Sequence, residues 1–112
     1  MNAKLTTIGR KSGQPRTVTL YAWPDDDRLV VVGSRGGAAD DPAWVLNLRA
    51  DPHATVTTGK TDREMVAHEV TGAERERLWE LVTAAFPMYR SYQRKTERVI
   101  PLFLLEPDGA GT

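Results

Sequence analysis

The sequence predicts a small, mostly antiparallel β-barrel with helices packed outside it, and three observations favour this fold. Six short segments rich in β-branched and aromatic residues are separated by turns of Gly, Pro and Asp, so hairpin connections dominate. One of these segments, residues 29–32, is apolar on both faces and is therefore expected inside a closed or covered sheet. Only two or three segments have helical spacing. We expect one domain over residues 1–107, followed by a flexible tail at 108–112.

In the first part of the chain, the pattern predicts a hairpin with a basic tip, followed by a third strand. Residues 5–8 form the first strand, which stops at a turn over residues 9–13. Pairing resumes after Pro15, because proline has no N–H to donate to a ladder, and the second strand covers residues 17–23. A turn containing three Asp residues then leads into the third strand, residues 28–33.

In the remainder of the chain, the sequence pattern predicts the helices and the last three strands. In order these are a Gly-rich loop (34–40), a short helix ending at residue 50, strands (54–57 and 64–70), an amphipathic helix (73–86), a helical or extended segment (88–93) and a last strand (99–105). Asp41 and Pro42 match the N-cap and the first position of the short helix.

Composition excludes several classes of function. The chain has 112 residues, its 15 Lys and Arg are balanced by 15 Asp and Glu, and it has no Cys. Zero net charge argues against a general nucleic-acid binder, because nonspecific affinity requires a surplus of cations. The absence of Cys excludes disulfides, thiolate metal sites and a cysteine nucleophile. The absence of Cys also favours a reducing cytoplasm. No apolar run approaches the roughly 20 residues that cross a bilayer, and no spanning helix or signal peptide is expected.

The turn at the tip of the first hairpin is the most suggestive local feature. It contains Arg10, Lys11 and Ser12, with Arg16 close behind, and residues 1–24 hold four cations and no acid. Guanidinium groups bind phosphate or carboxylate oxygens bidentately, and Gly and Ser let backbone N–H groups approach the same anion. The turn therefore predicts an anion site, and the alternative is a solvated hairpin tip.

Other features are weaker. The loop at residues 34–37 precedes a helix N-terminus and could form a second anion site. Trp44 on the short helix is a core plug or a ligand contact. Tyr89 and Tyr92 lie one turn apart if their segment is helical, and their hydroxyls then either enter one cavity or reach water. Because no metal-ligand set, acid–base pair or hydrolase motif is present, an enzyme with this sequence requires a bound cofactor to supply the reactivity.

Four strings of residues together are similar to the deazaflavin-dependent nitroreductase and quinone reductase family. They are TTIGRKSGQPR at 6–16, VGSRGG at 32–37, PAWVLNLRADP at 42–52 and FPMYRSYQ at 86–93, with IP at 100–101 and LEP at 105–107. The similarity covers nearly the whole chain in the family's order. It implies a split β-barrel of the FMN-binding type.

The resemblance implies coenzyme F420 as cofactor, an 8-hydroxy-5-deazaflavin with a ribityl chain, a phosphate and an oligoglutamate tail. It also implies hydride transfer from the reduced cofactor to a quinone, nitro compound or similar small acceptor. By position, the catalytic candidates are Tyr89, Tyr92 and Ser34, and the substrate contacts are Phe86, Tyr89 and Tyr92. The implied cofactor contacts are Arg10, Lys11, Ser12 and Arg16 for the phosphate and glutamates, Thr17, Val18, Thr19, Leu20 and Tyr21 through backbone groups, Val32, Gly33, Ser34 and Arg35 at the ring, Ala43, Trp44, Val45, Leu46 and Asn47 as the cleft wall, and Tyr89 over the ring.

Two residues depart from the family pattern, and two other functions stay open. Phe86 stands where the best-known nitroreductase type has a tyrosine, and Arg35 replaces a frequent lysine. The alternatives are an FMN-binding split-barrel oxidoreductase and a non-catalytic F420-binding or carrier protein. No nucleic-acid partner, integral membrane segment or metal is expected. A homodimer and a peripheral membrane association stay open, because barrels with exposed edges often dimerise and a segment of some relatives associates with membranes.

Overall fold

A computed structural model describes residues 1–108 of the chain and forms seven strands and three helices there. The strands are β1 (Asn2–Ile8), β2 (Pro15–Tyr21), β3 (Trp23–Asp25), β4 (Arg28–Val32), β5 (His53–Thr58), β6 (Thr61–Glu69) and β7 (Leu102–Pro107). The helices are α1 (Ala43–Ala50), α2 (Gly72–Ala85) and α3 (Met88–Arg94), and a short 3₁₀ turn covers Arg35–Gly37. No helix within residues 1–108 has both the length and the apolarity that a membrane span requires.

The sheet closes on itself because its two outermost strands are consecutive in the chain. The strand order is β2-β1-β5-β6-β7-β4-β3, and every pairing is antiparallel. A single residue, Ala22, joins the end of β2 to the start of β3. The sheet must therefore curl until these edges meet at Ala22, while they separate elsewhere. This arrangement confirms the predicted mainly β, split-barrel fold.

The predicted number of strands was wrong by one, because the second predicted strand is broken at Ala22. Its backbone N–H donates to the carbonyl of Met1 at 2.8 Å, and its carbonyl accepts from the Met1 amino group at 2.7 Å. After this buried residue the chain changes partner, since Trp23 pairs with Val30 of β4 rather than with β1. Residues 17–23 thus contribute to both edges of the barrel.

Two apolar cores lie on opposite faces of the sheet. Inside the barrel, Leu29 and Val31 of β4 pack with Phe103 of β7 and with the buried face of α1. On the outer face, the intervening Val30 packs with residues of α2 and α3. Strand alternation thus sends every second residue of β4 into each core, which confirms that residues 29–32 are covered on both faces. Burial of each such side chain contributes roughly 1.5–3 kcal/mol.

The start of α1 lies one residue later than predicted. The N-cap position is Pro42 in an extended conformation, and no side chain caps the helix. Asp41 does not cap the helix as predicted, because its carboxylate accepts from Arg98 at 2.7 Å and from Arg49 at 3.0 Å. Here both partners are charged, whereas in a cap bond the carboxylate would accept from a neutral backbone N–H. Of the predicted tail, Asp108 donates its N–H to the Glu64 carbonyl at 2.9 Å, and residues 109–112 lie outside the described residues.

Candidate functional site

A cavity of about 340 Å³ lies between the tip of the β1–β2 hairpin and the first turns of α1. It is lined by Thr7, Gly9, Arg10, Lys11, Ser12, Arg16, Thr17, Val18, Ala43, Trp44 and Asn47. Nine of the residues predicted to contact a cofactor therefore share one cavity, although two distant parts of the sequence supply them. Thr7 and Gly9 also line it, and sequence reasoning did not select them.

The cations of this cavity have no carboxylate partners in the part of the chain that the structure describes. Arg10, Lys11 and Arg16 form none of the ion pairs found within residues 1–108. By contrast, Arg49 and Arg98 are each ion-paired at distances of 3.0 Å or less. Three uncompensated positive charges around one concave surface favour an anionic ligand.

Asn47 fixes the hairpin tip to α1. This residue is 3% exposed, and its Oδ1 accepts from the backbone N–H of Arg10 at 3.1 Å and from Arg10 Nη1 at 3.4 Å. Its Nδ2 donates to the buried hydroxyl of Thr7 at 3.1 Å. The Asn47 amide thus orients Arg10, and this use of its hydrogen bonds was not predicted from the sequence.

Close backbone packing shapes the hairpin tip. A side chain at Gly9 would bring its Cβ within 2.7 Å of Ser12 Oγ and 3.2 Å of the Gln14 carbonyl, so only glycine fits without rearrangement. The Gly9 N–H donates to that same carbonyl at 2.8 Å, and Ser12 Oγ accepts from the Gln14 N–H at 3.1 Å. The tip is therefore an ordered turn built around its own hydrogen bonds.

Trp44 packs in the inner core and also lines the cavity at the hairpin tip. Its ring packs against Phe103, with 5.9 Å between ring centroids, and the residue is 8% exposed. Val45, on the same helix, is fully buried and lies against Gly33, so its side chain belongs to the core.

An aromatic patch, consisting of Tyr21, Trp23, Phe86, Tyr89 and Tyr92, lies where β2 and β3 meet α3. Successive ring centroids are 4.3 Å apart for Tyr21 and Trp23, 6.2 Å for Trp23 and Tyr89, and 6.3 Å for Tyr89 and Tyr92. Phe86 lies 4.8 Å from Tyr89 between centroids. The structure therefore brings the three predicted substrate residues together, and it adds Trp23, which sequence reasoning treated only as a strand residue.

The hydroxyl of Tyr89 has a defined role in this patch. Trp23 Nε1 donates to it at 3.0 Å, so the phenol oxygen accepts from the indole and keeps its own proton available for donation. Burial, the largest cause, raises the pKa of Tyr89 above its ordinary value. Tyr89 therefore stays protonated at neutral pH.

The cavity and the aromatic patch lie at the two ends of β2. Arg16, near the start of β2, lines the cavity, and Tyr21, at the end of the strand, belongs to the patch. At roughly 3.3 Å per residue, the seven residues of β2 extend about 20 Å. Within the described residues, this strand pairs with β1 alone, so its other edge is free along that length. The combined surface suits an elongated ligand with an anionic end.

The other predicted contacts lie around these two regions. Thr19 faces a separate shallow depression with Asn2 and Lys4, whereas Leu20 is half-buried against the inner core. Leu46 is half-buried on α1, and Val32 is half-buried at the end of β4. Gly33 and Ser34 are buried and Arg35 is exposed, in the loop that packs on α3. None of these side chains lines the hairpin-tip cavity.

Comparison with known proteins gives the family. Residues 2–107 match the family model described as F420H(2)-dependent quinone reductase. The chain belongs to this family. It is 35% identical over 104 residues to an F420H(2)-dependent quinone reductase of Mycobacterium tuberculosis, and the alignment covers 90% of this chain and 70% of that protein. This identity confirms the family that the sequence strings indicated.

Solved structures agree with this membership in the F420H(2)-dependent quinone reductase family. A structure described as an F420-H2 dependent reductase has a TM-score of 0.85 and 38% identity, covering 94% of this chain and 93% of that one. Another, described as a domain-swapped dimer, has a TM-score of 0.86 and 38% identity, covering 94% and 79%. An FAD-binding protein from Mesorhizobium loti, at 15% identity and a TM-score of 0.68 over 96% and 78%, shares the fold alone.

Proposed function

We propose that this chain transfers a hydride from reduced F420 to a quinone or a similar small organic acceptor. The observation that carries the proposal is the cavity at the hairpin tip, where three cations converge without carboxylate partners in residues 1–108. A cofactor with a phosphate and several carboxylates requires such a surface. The donor set therefore fits F420, and the family name and the names of the relatives support the same cofactor.

The residues of the cavity would hold the anionic part of the cofactor. Arg10 and Arg16 offer planar guanidinium groups, which bind phosphate or carboxylate oxygens in pairs, and Lys11 adds a point charge. Trp44 supplies an apolar wall next to these cations. We assign the ring to the region between the aromatic patch and the loop at Ser34 and Arg35, because β2 leads from the cavity to Tyr21 of the patch, and the loop packs on α3 beside Tyr92.

When bound, reduced F420 supplies the hydride, from C5 of its deazaflavin ring. Reduction of a quinone to a hydroquinone takes up this hydride and one proton. The protonated hydroxyl of Tyr89, held by Trp23, can donate a hydrogen bond to an acceptor oxygen and so orient it. Tyr92 and Phe86 would pack against the acceptor and exclude water from it. The Tyr89 hydroxyl can also supply the proton that the reduced acceptor takes up, and it then regains a proton from solvent.

Titration and an acceptor screen test this function. The wild-type protein should change the fluorescence of oxidised F420 at micromolar concentration and should oxidise reduced F420 when a quinone is added. Absence of binding would rule out the proposed cofactor. Tight binding of FMN instead would favour the flavin alternative, which requires fewer cations because FMN carries one phosphate. Binding of F420 without turnover on any quinone or nitroarene would favour a carrier.

Tyr89→Phe tests the role assigned to the hydroxyl. Loss of one hydrogen bond to the reacting acceptor should lower kcat by about ten-fold. Cofactor affinity should stay the same, since the ring and its packing remain. Because the pKa of Tyr89 is raised, wild-type activity should persist to a pH above the pKa of an ordinary tyrosine. It should fall only when the phenol ionises. The variant should lack that alkaline decline, and equal losses in kcat and in affinity would show that Tyr89 only packs.

We also propose that the protein forms a homodimer. This is supported by a solved structure that is 38% identical to this chain and is described as a domain-swapped dimer. Sedimentation equilibrium should give twice the 12.4 kDa mass of one chain. A monomeric mass at every protein concentration would contradict the dimer.

A further inference from the structure

Arg98, which follows α3, holds a loop that the proposed function places beside the deazaflavin ring. Its side chain is 13% exposed, and all three nitrogens of its guanidinium donate hydrogen bonds. Nε donates to the carbonyl of Ala38 at 2.8 Å, and Nη2 donates to that of Ser34 at 2.7 Å. Nη1 donates to the carbonyl of Gly33 at 3.0 Å and to Asp41 Oδ1 at 2.7 Å. One side chain thus binds both ends of the loop.

The segment between these carbonyls has an unusual backbone. Arg35, Gly36 and Gly37 have φ values of +45°, +63° and +83°, so three consecutive residues are left-handed. This conformation is unfavourable for Arg35, which carries a Cβ, and it persists only where surrounding contacts enforce it. The turn also packs closely on α3, since a Cβ at Gly37 would lie 2.8 Å from the Tyr92 carbonyl. Arg98 bonds to the residues on either side of this strained turn.

A chain of ion pairs anchors Arg98 to the rest of the fold. Asp41 Oδ2 accepts from Arg49 Nη1 at 3.0 Å, and Arg49 forms two bonds of 2.8 Å with the carboxylate of Glu69 at the end of β6. The Arg49 guanidinium lowers the pKa of Glu69, so this carboxylate is charged at neutral pH. The guanidinium that holds the loop is thereby attached, through Asp41, to α1 and to the sheet.

We propose that Arg98 is a positioning residue that sets the orientation of the peptide groups at Gly33, Ser34 and Arg35 for binding of the deazaflavin ring. This inference depends on the proposed function. In a trans peptide the N–H points away from the preceding carbonyl, so a carbonyl held by Arg98 directs the next N–H to the opposite side. The bonds to Gly33 and Ser34 thereby fix the N–H groups of Ser34 and Arg35. Arg98 itself acts through the loop.

Arg98→Lys tests this role, because lysine keeps the charge and the attraction to Asp41 but cannot present a planar fork to three carbonyls. The experiment compares binding of whole F420 with binding of its deazaflavin–ribityl core, which lacks the phosphate and glutamates. Arg98→Lys should raise Kd for both ligands by roughly ten-fold, since the ring site is common to both. The ratio between the two Kd values, which reports the tail site, should stay at the wild-type value. A loss of folded protein would instead lower the number of sites and leave Kd unchanged.

Arg49→Ala provides the matched control. Arg49 shares Asp41 with Arg98, but its bonds go to carboxylates and none goes to a loop carbonyl. Because Arg98 keeps its bonds to the three carbonyls and to Asp41 in this variant, the substitution should lower the midpoint of thermal unfolding and leave Kd for the core close to the wild-type value. The inference is overturned if Arg98→Lys binds the core as tightly as wild type, or if Arg49→Ala weakens binding equally. A wild-type protein that binds neither ligand would overturn the proposed function as well.

Discussion

The cations at the hairpin tip and the guanidinium of Arg98 differ in what their nitrogens bind. At the hairpin tip, Arg10, Lys11 and Arg16 surround a cavity and have no carboxylate partner within residues 1–108. Arg98, which follows α3, donates its guanidinium N–H groups to three carbonyls of the loop before α1 and to Asp41. An arginine thus stabilises the fold where carbonyls and carboxylates occupy its donors. Where its donors have no such partners, it is available to a ligand.

The difference follows from electrostatics as well as from geometry. A buried guanidinium is stable only when carbonyls and carboxylates compensate its lost hydration, as they do around Arg98. Exposed cations at a turn keep their hydration and can release it when an anion arrives. From this contrast we expect substitutions at the hairpin tip to weaken binding of the anionic tail alone, and substitutions in the loop network to change the shape of the proposed ring site or the stability of the protein.

The largest expected effect comes from Arg10→Ala combined with Lys11→Ala. Loss of two charge-assisted contacts should weaken binding of whole F420 by on the order of 100-fold. Binding of the deazaflavin–ribityl core should be unaffected, because the core has no anionic tail. Fluorescence titration with both ligands measures the difference. Unfolding should change little, since this exposed turn contributes little to either core.

A charge-matched control accompanies the double variant. Lys4→Ala combined with Lys60→Ala removes two charges from residues that do not line the cavity. If general attraction between a cationic surface and an anionic cofactor were sufficient, both double variants would bind equally weakly. Equal affinities would therefore contradict a local site at the hairpin tip, as would unchanged affinity after the Arg10 and Lys11 substitutions.

The hairpin tip could be predicted from the sequence because its signal is local. Gly9, the two cations that follow it and Arg16 lie within one short segment, and strand alternation on either side defines a hairpin. The barrel could be predicted for the same reason, since periodicity shows which strands are covered on one face or on two. The strand break at Ala22 could not be predicted, because it depends on a bond to the other end of β1.

The loop network could not be predicted, since its contacts are distant in sequence. The partners of Arg98 lie 57 to 65 residues away along the chain. Likewise, the bond between Trp23 and Tyr89 joins residues 66 positions apart. Asp41 had a local interpretation as a helix cap, and the stronger interaction with two guanidinium groups displaced it. Local patterns describe the tip well, but only the folded chain reveals which polar groups are already occupied.

Asn47→Asp is expected to change the affinity for whole F420 less than the double variant does. It tests the contrast between unpaired and ion-paired cations most directly, because it gives Arg10 a carboxylate partner. In the wild type, Asn47 Oδ1 accepts from Arg10, and Nδ2 donates to Thr7. An aspartate can accept from both, since the Thr7 hydroxyl can donate instead. Stability should therefore stay within about 1 kcal/mol of wild type, because Arg10 and Thr7 offset much of the cost of the buried charge.

Affinity for whole F420 should nevertheless fall by about ten-fold in Asn47→Asp, since the charge of Arg10 is then compensated inside the protein. Asn47→Ala separates this effect from a loss of packing. That variant leaves Thr7 and the N–H of Arg10 without their partner and should lose roughly 1–3 kcal/mol of stability. Thermal unfolding and fluorescence titration of both variants measure the two quantities. If a folded Asn47→Asp protein binds whole F420 with wild-type affinity, ligand binding does not depend on Arg10 lacking a carboxylate partner. The position of Arg10 in the cavity would then be sufficient.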